Sequence, residues 1–233
     1  LELRLPPIPN GEVCTYRVLA GGDSVGTYET VVVHDWVRES PAFALMNVMR
    51  TRTGGVSSTD SSLMQVSRAR LAPFNAFRFV RTGEALVTTA VNYGEESAAV
   101  SAFTSAGDEQ QRMLPRDSLT FDTDQLVLLG RALKPAPDRQ FAVKAVNPMG
   151  PPLGGTLLPA VFQYGGDESV FVPAGSFDCR KVVLLAGENE IFLWYEKAGT
   201  GRLVRYEAPD AGLAMELLPP GPETADLDRP VQP

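Results

Sequence analysis

Residues 172–185 read VPAGSFDCRKVVLL and place one of the chain's two cysteines, Cys179, just inside an apolar run. A thiol can be a nucleophile, a metal ligand, half of a disulfide or a small core residue, and each role needs different company. A nucleophilic cysteine needs a histidine, a cation or a helix N-terminus to lower its pKa. Cys179 has neither a neighbouring histidine nor a predicted helix N-terminus; Arg180 and Lys181 follow it in a stretch that reads as strand. A four-ligand zinc site cannot be assembled from Cys14, Cys179 and His34, the single histidine. Two readings stay open: a pair of buried free thiols, or a Cys14–Cys179 disulfide. The bridge would close a loop of about 165 residues, worth roughly 5 kcal/mol by chain entropy, and would require an oxidising compartment.

Other reactive residue types are as isolated. His34 follows three valines and precedes Asp35-Trp36, with no Gly-x-Ser-x-Gly elbow anywhere to supply a serine for it to activate. Acidic residues come as Glu95-Glu96, Asp108-Glu109, Asp122/Asp124 and Asp167-Glu168. A glycosidase uses two carboxyls about 5–10 Å apart across a cleft. These acids fall mostly in turn-like stretches, where they solvate and cap. Asp122 and Asp124 are the best pair, and they also suit the start of a helix. Asp122-Thr123-Asp124 is only a fragment of a calcium loop. The glycine pairs lack a phosphate-loop pattern. The residues therefore point away from an enzyme and imply neither metal nor cofactor.

The elements that must position these residues read as β. GEVCTYRVLAGGDSVGTYETVVVHDWV alternates in polarity around Gly21-Gly22, so that Cys14, Tyr16 and Val18 share a face. Further turns are predicted at Thr53-Gly54-Gly55, Thr82-Gly83-Glu84, Ala106-Gly107-Asp108, Gly165-Gly166-Asp167, 187–189, 199–201 and 209–212. A single helix is predicted over about 122–133, capped by Asp122 or Thr123 and carrying Leu126, Leu129 and Leu133. No residue identities recur at a fixed period, which disfavours propellers and solenoids. The expectation is a mainly β fold: a large curved antiparallel meander, a half-barrel or open barrel, with one short helix on its concave face. Residues 1–10 read as an extended arm, 11–218 as one β domain, and 219–233 as a Pro-rich acidic tail.

Composition narrows the partners. A net charge of −7 and no basic stripe disfavour nucleic acid. No apolar run approaches the ~20 residues of a spanning helix. The opening LELRLPPIPN has no initiator Met, basic segment or apolar leader, and reads as a processed chain. Phe77 and Phe79 share one strand face, as do Phe192 and Trp194. With Met46, Met49, Met64 and Met113 they read either as a packed core or as the wall of an apolar-ligand cavity.

Gly11-Glu12, Gly26, Pro115, Phe121-Asp122 and VPAGSFDC (172–179) occur in that order. In this set the chain resembles the bacterial DUF3108 proteins over about residues 11–218, with a looser stretch at 139–160 around Pro148, Pro151 and Pro152. That resemblance implies export to the envelope and an architecture similar to the lipoprotein carriers LolA and LolB. It carries no catalytic residues. Two functions are expected from the whole reading. The first is a non-catalytic, periplasmic or otherwise extracytoplasmic β-domain that binds protein as an accessory or scaffold of a membrane-associated complex. The second is a carrier of a lipid or other apolar ligand.

Overall fold

The computed structural model describes residues 3, 5, 7–133, 135–151 and 153–221. Within them the strands are β1 (Glu12–Ala20), β2 (Asp23–Val37), β3 (Ser40–Thr53), β4 (Val56–Ser67), β5 (Pro73–Thr82), β6 (Ala85–Tyr93), β7 (Ser97–Thr104), β8 (Glu109–Pro115) and β9 (Thr120–Asp122). After the helix come β10 (Phe141–Asn147), β11 (Thr156–Val172), β12 (Gly175–Ala186), β13 (Asn189–Glu196), β14 (Leu203–Ala208) and β15 (Leu213–Leu217). The helix, α1 (Leu126–Leu133), is opened by a 3-10 turn at Thr123–Gln125.

All these strands join one sheet, ordered β8 back to β1, then β15 back to β9. β1 pairs with β15 in the middle, so the two free edges are β8 and β9. The sheet curls into an open barrel, and the helix lies inside the curl. This is the curved sheet with a helix on its concave face that the strand pattern predicts. One pairing departs from the expected antiparallel order: β9 and β10 run parallel. Parallel neighbours need a crossover of a dozen or more residues, usually helical. The α1 segment is that crossover, and it passes through the lumen, which is why nearly all of its residues are buried.

Gly21-Gly22 and Gly54-Gly55 adopt positive φ and close hairpins where the sequence places them. Gly165-Gly166 does not reverse the chain. β11 runs straight through it, and the register against β12 slips between Tyr164 and Gly166. An extra residue in one strand bends and twists it, so these glycines serve a bulge. The reversal comes at Pro173-Ala174, between paired Val172 and Gly175.

Register separates the two faces. The row Leu45–Met64–Ala76–Val91–Val100 crosses β3 to β7 and is buried throughout, facing the lumen. The adjacent row Met46–Leu63–Phe77 points outward, with Met46 37% and Phe77 48% exposed.

The helix is fixed from several sides. Tyr195 Oη donates to the Val127 carbonyl at 2.7 Å, and Gln125 Nε2 donates to the Leu71 carbonyl at 2.8 Å. Gly130 weakens a helix by about 1 kcal/mol relative to alanine. Its reason is close approach: an added Cβ would lie 2.5 Å from Tyr195 Oη.

The arm is tied down by His34, whose ring Nε2 lies 2.9 Å from the Ile8 carbonyl and whose backbone N–H donates to Asn10 Oδ1 at 2.7 Å. Ile8 is buried. From 222 onward the expected tail lies outside the described residues. Among the described residues no helix is long and apolar enough to cross a membrane.

Candidate functional site

Alternation puts Asp60 and Ser62 of β4, and Arg78 of β5, on the lumen face, in phase with buried Met64 and Ala76. The Arg78 fork grips Asp60 with Nε to Oδ1 at 2.9 Å and Nη2 to Oδ2 at 2.5 Å. Its Nη1 reaches Asp124 Oδ1 at 3.0 Å. Burial works against the arginine's charge, but the Asp60 and Asp124 carboxylates outweigh it and raise its pKa above the ordinary value. Asp124 stands in the opening turn of the helix because Asp122 caps that turn. The Asp122 side chain accepts from the Asp124 N–H at 2.9 Å, and Gln125 Oε1 accepts from the Asp122 N–H at 3.2 Å. This reciprocal box satisfies donors that the turn leaves open. Tyr93 Oη also donates to Asp122. The pair that looked most like a hydrolase dyad is thus a cap and an arginine partner.

Beside this cluster the lumen holds a cavity of about 530 Å³. One wall is polar: Asn47, Asp60, Ser62 and Arg78, with Tyr28 and Asp124. The other is apolar: Leu158, Leu184, Ile191, Leu213 and Met215. Thr123 also lines it, and its buried Oγ1 has no partner among the described residues.

Burial, then the neighbouring Asp124 charge, pushes Asp122 up to about 7 from the ordinary 3.8. A raised carboxyl pKa means the folded chain holds the proton more tightly than the unfolded chain. The associated stability is therefore complete below pH 4 and is lost as pH rises through about 7. Asp122→Asn keeps a good cap and removes the titration. We expect the variant to match wild type near pH 4 and to exceed it by about 4 kcal/mol at pH 8. Thermal unfolding of both proteins across that range checks this; parallel curves would refute it.

The apolar candidates scatter. Met64 is buried on the lumen face but does not line the cavity. Phe77, Phe79 and Met46 lie on the outer face. Phe192 and Trp194 also face outward, since they alternate with Leu193 and Tyr195, and Tyr195 bonds to the helix. Trp194 is nonetheless covered: Lys181 and Arg205 sit over its ring, and its Nε1–H donates to Glu168 at 2.6 Å. Of the two readings for Phe77, Phe79, Phe192, Trp194, Met46 and Met64, a single cavity wall is not built, whereas Met64 and Trp194 are buried in the core and Phe192 packs against it. Phe121 of β9 and Asp124 of the opening turn lie against β5 on the lumen side, where the small Ala76 faces in and the aromatics face out.

The disulfide is not formed either. Cys14 and Cys179 are both buried free thiols. Three strands separate β1 from β12 in the sheet, roughly 19 Å at ordinary strand spacing. Cys14 faces the lumen beside Tyr16, whereas Cys179, next to inward Arg180, faces out. Burial pushes the Cys14 thiol up to about 11 and the Cys179 thiol up to about 12, so neither is a thiolate at neutral pH. The other acid pairs serve the surface: Asp167 holds Lys197 at 2.7 Å, and Asp108 accepts from Thr104 Oγ1. Among the described residues no three His, Cys, Asp or Glu side chains converge to hold a metal.

No family model and no curated protein matches the chain. Two solved structures match along most of the chain. A β-barrel-like protein of a domain of unknown function, DUF1849, from Brucella abortus superposes with a TM-score of 0.57 at 11% identity, over 93% of this chain and 98% of that one. A Bacteroides fragilis protein, described as exported and of YmcC-like fold, gives 0.34 at 12% identity, over 94% and 99%. The first shares the β-barrel-like fold with this chain.

Proposed function

We propose that the chain is a non-catalytic, exported binding protein that holds an amphiphile in the barrel lumen. The cavity carries this reading: about 530 Å³, apolar on the β11–β15 wall and charged on the β4–β5 wall. Ligand cavities typically span about 300–1,000 Å³, with mostly apolar linings and a few convergent polar groups. Acyl carbons would lie along Leu158, Leu184, Leu213 and Met215. A polar head would meet Asp60, Ser62, Arg78 and the unpartnered Thr123 hydroxyl. Export and the likeness to DUF3108 and Lol-type carriers rest on the sequence resemblance; with both thiols free, no bridge argues for an oxidising compartment.

Native mass spectrometry after mild extraction should show a lipid-sized adduct. Met215→Trp, which fills the apolar wall, should weaken binding of a fluorescent fatty acid at least tenfold. No adduct, together with no saturable binding by wild type, would sink the reading. A second reading, docking of a protein partner, is favoured by the outward row Met46–Leu63–Phe77. The same extracts test it, because a lone monomer in every membrane fraction counts against a partner.

A further inference from the structure

A second cavity, of about 430 Å³, opens at the other end of the helix. Its charged residues are Arg131, Arg180, Lys197, Asp167 and Glu196. All but one are committed. Arg131 grips Glu12 at 2.6 Å, Lys197 grips Asp167 at 2.7 Å, and Glu196 is held by Arg202 at 3.2 Å. Arg180 is the exception among the described residues: it has no ion-pair partner there, and its guanidinium faces only the Tyr195 ring, 5.9 Å from the centroid. Its only hydrogen bond is a 3.5 Å contact from Nη2 to the Gly130 carbonyl, at the outer limit of such bonds, and its buried Nε has no partner. A guanidinium has five donors in a planar fork suited to carboxylate or phosphate.

The contrast with Arg78 is instructive. Two carboxylates hold Arg78 above the ordinary arginine value, whereas burial, without a carboxylate in its fork, holds Arg180 below it. The remaining lining is flat and weakly polar: Pro135, Pro137, Tyr164 and Tyr195. The space exceeds what one oxyanion needs and accommodates an organic body.

We propose that Arg180 anchors the oxyanion of a small organic acid or phosphate ester in this cavity. The site is independent of the amphiphile cavity, and either can fail without the other. The alternative is that Arg180 merely steadies the helix C-terminus through Gly130.

The test is titration of the full chain with phenyl phosphate, benzoate and inorganic phosphate, read by calorimetry and by the Arg180 Nε–H resonance. We expect saturable binding with a shift of that resonance, and at least tenfold weakening in Arg180→Gln, with Arg180→Lys intermediate. Phenyl phosphate or benzoate binding more tightly than inorganic phosphate assigns the site to an organic anion; equal affinity assigns it to the free ion. Either supports the oxyanion site. The wild-type resonance keeps the test valid if the glutamine variant unfolds. An unmoved resonance with all three probes, or undiminished binding by a folded Arg180→Gln, overturns the proposal.

Discussion

Replacing Gly26 by alanine should lower the melting temperature by roughly 6–12 °C, the loss expected for about 3 kcal/mol in a chain of this length. Gly26 has ordinary extended backbone, so its role is not conformational. It sits where β2 passes between β1 and β3, beside the slip in register at Val18/Leu19. A Cβ built there would lie 1.9 Å from the Arg50 carbonyl oxygen and 2.8 Å from Thr51 Cα. Both are backbone atoms, so no side chain can swing away, and β3 must move by about 1 Å through a close-packed sheet. Gly21→Ala is the control. Nothing lies within 4 Å of its Cβ, but its φ is +58°. It should lose only about 1 kcal/mol, from the left-handed backbone alone. Thermal unfolding followed by circular dichroism ranks the two variants; equal losses would refute the steric account.

Removing Arg131 should be as damaging, for an electrostatic reason. Its guanidinium bonds both Glu12 oxygens, at 2.6 and 3.0 Å, and reaches the Thr200 carbonyl with Nε and Nη2 at 2.9 and 2.7 Å. The two side chains are 6% and 11% exposed. Arg131→Met leaves the Glu12 carboxylate and a carbonyl in a poorly solvated lumen with no donor. Breaking a buried pair by one partner costs about 3–5 kcal/mol, whereas replacing both with apolar residues is often near neutral. The double variant Glu12→Met/Arg131→Met should therefore recover most of the loss. Arg205→Met, breaking the half-exposed pair with Glu207, should cost less than about 1 kcal/mol. A denaturant double-mutant cycle measures all of these, and strictly additive single losses would refute the coupling.

The strands and hairpins were legible because a tight reversal needs positive φ, and glycine advertises it. The β2–β3 reversal gave no such sign: Arg38 and Glu39 take φ of 47° and 66° without glycine. Gly165-Gly166 gave the sign falsely, since a bulge uses the same backbone freedom as a turn. The helix and its Asp122 cap were readable locally. Which face of each strand looks inward was not. Both faces of β5 carry apolar residues, and bulk favoured Phe77 and Phe79, but the lumen was already filled by segments far away in sequence. Arg78 offered the one usable clue to the cluster, a charge in phase with Ala76 and Val80. Its partners Asp60 and Asp124 meet it only through the tertiary fold, and the same fold's register keeps the two thiols apart on opposite faces.

The pairing of β1 with β15 has a further consequence. Starting at β9 and counting through β15 to β1 and on to β8, the spatial order becomes strictly sequential. Apart from the parallel β9–β10 pair, the molecule is topologically a meander whose breakpoint has been moved to the middle of the sheet. A ribosome or translocon delivering it from the N-terminus produces two half-sheets whose central seam must wait for the last strand to emerge. Until then β1 offers an unmated edge to whatever chaperone or neighbour finds it first.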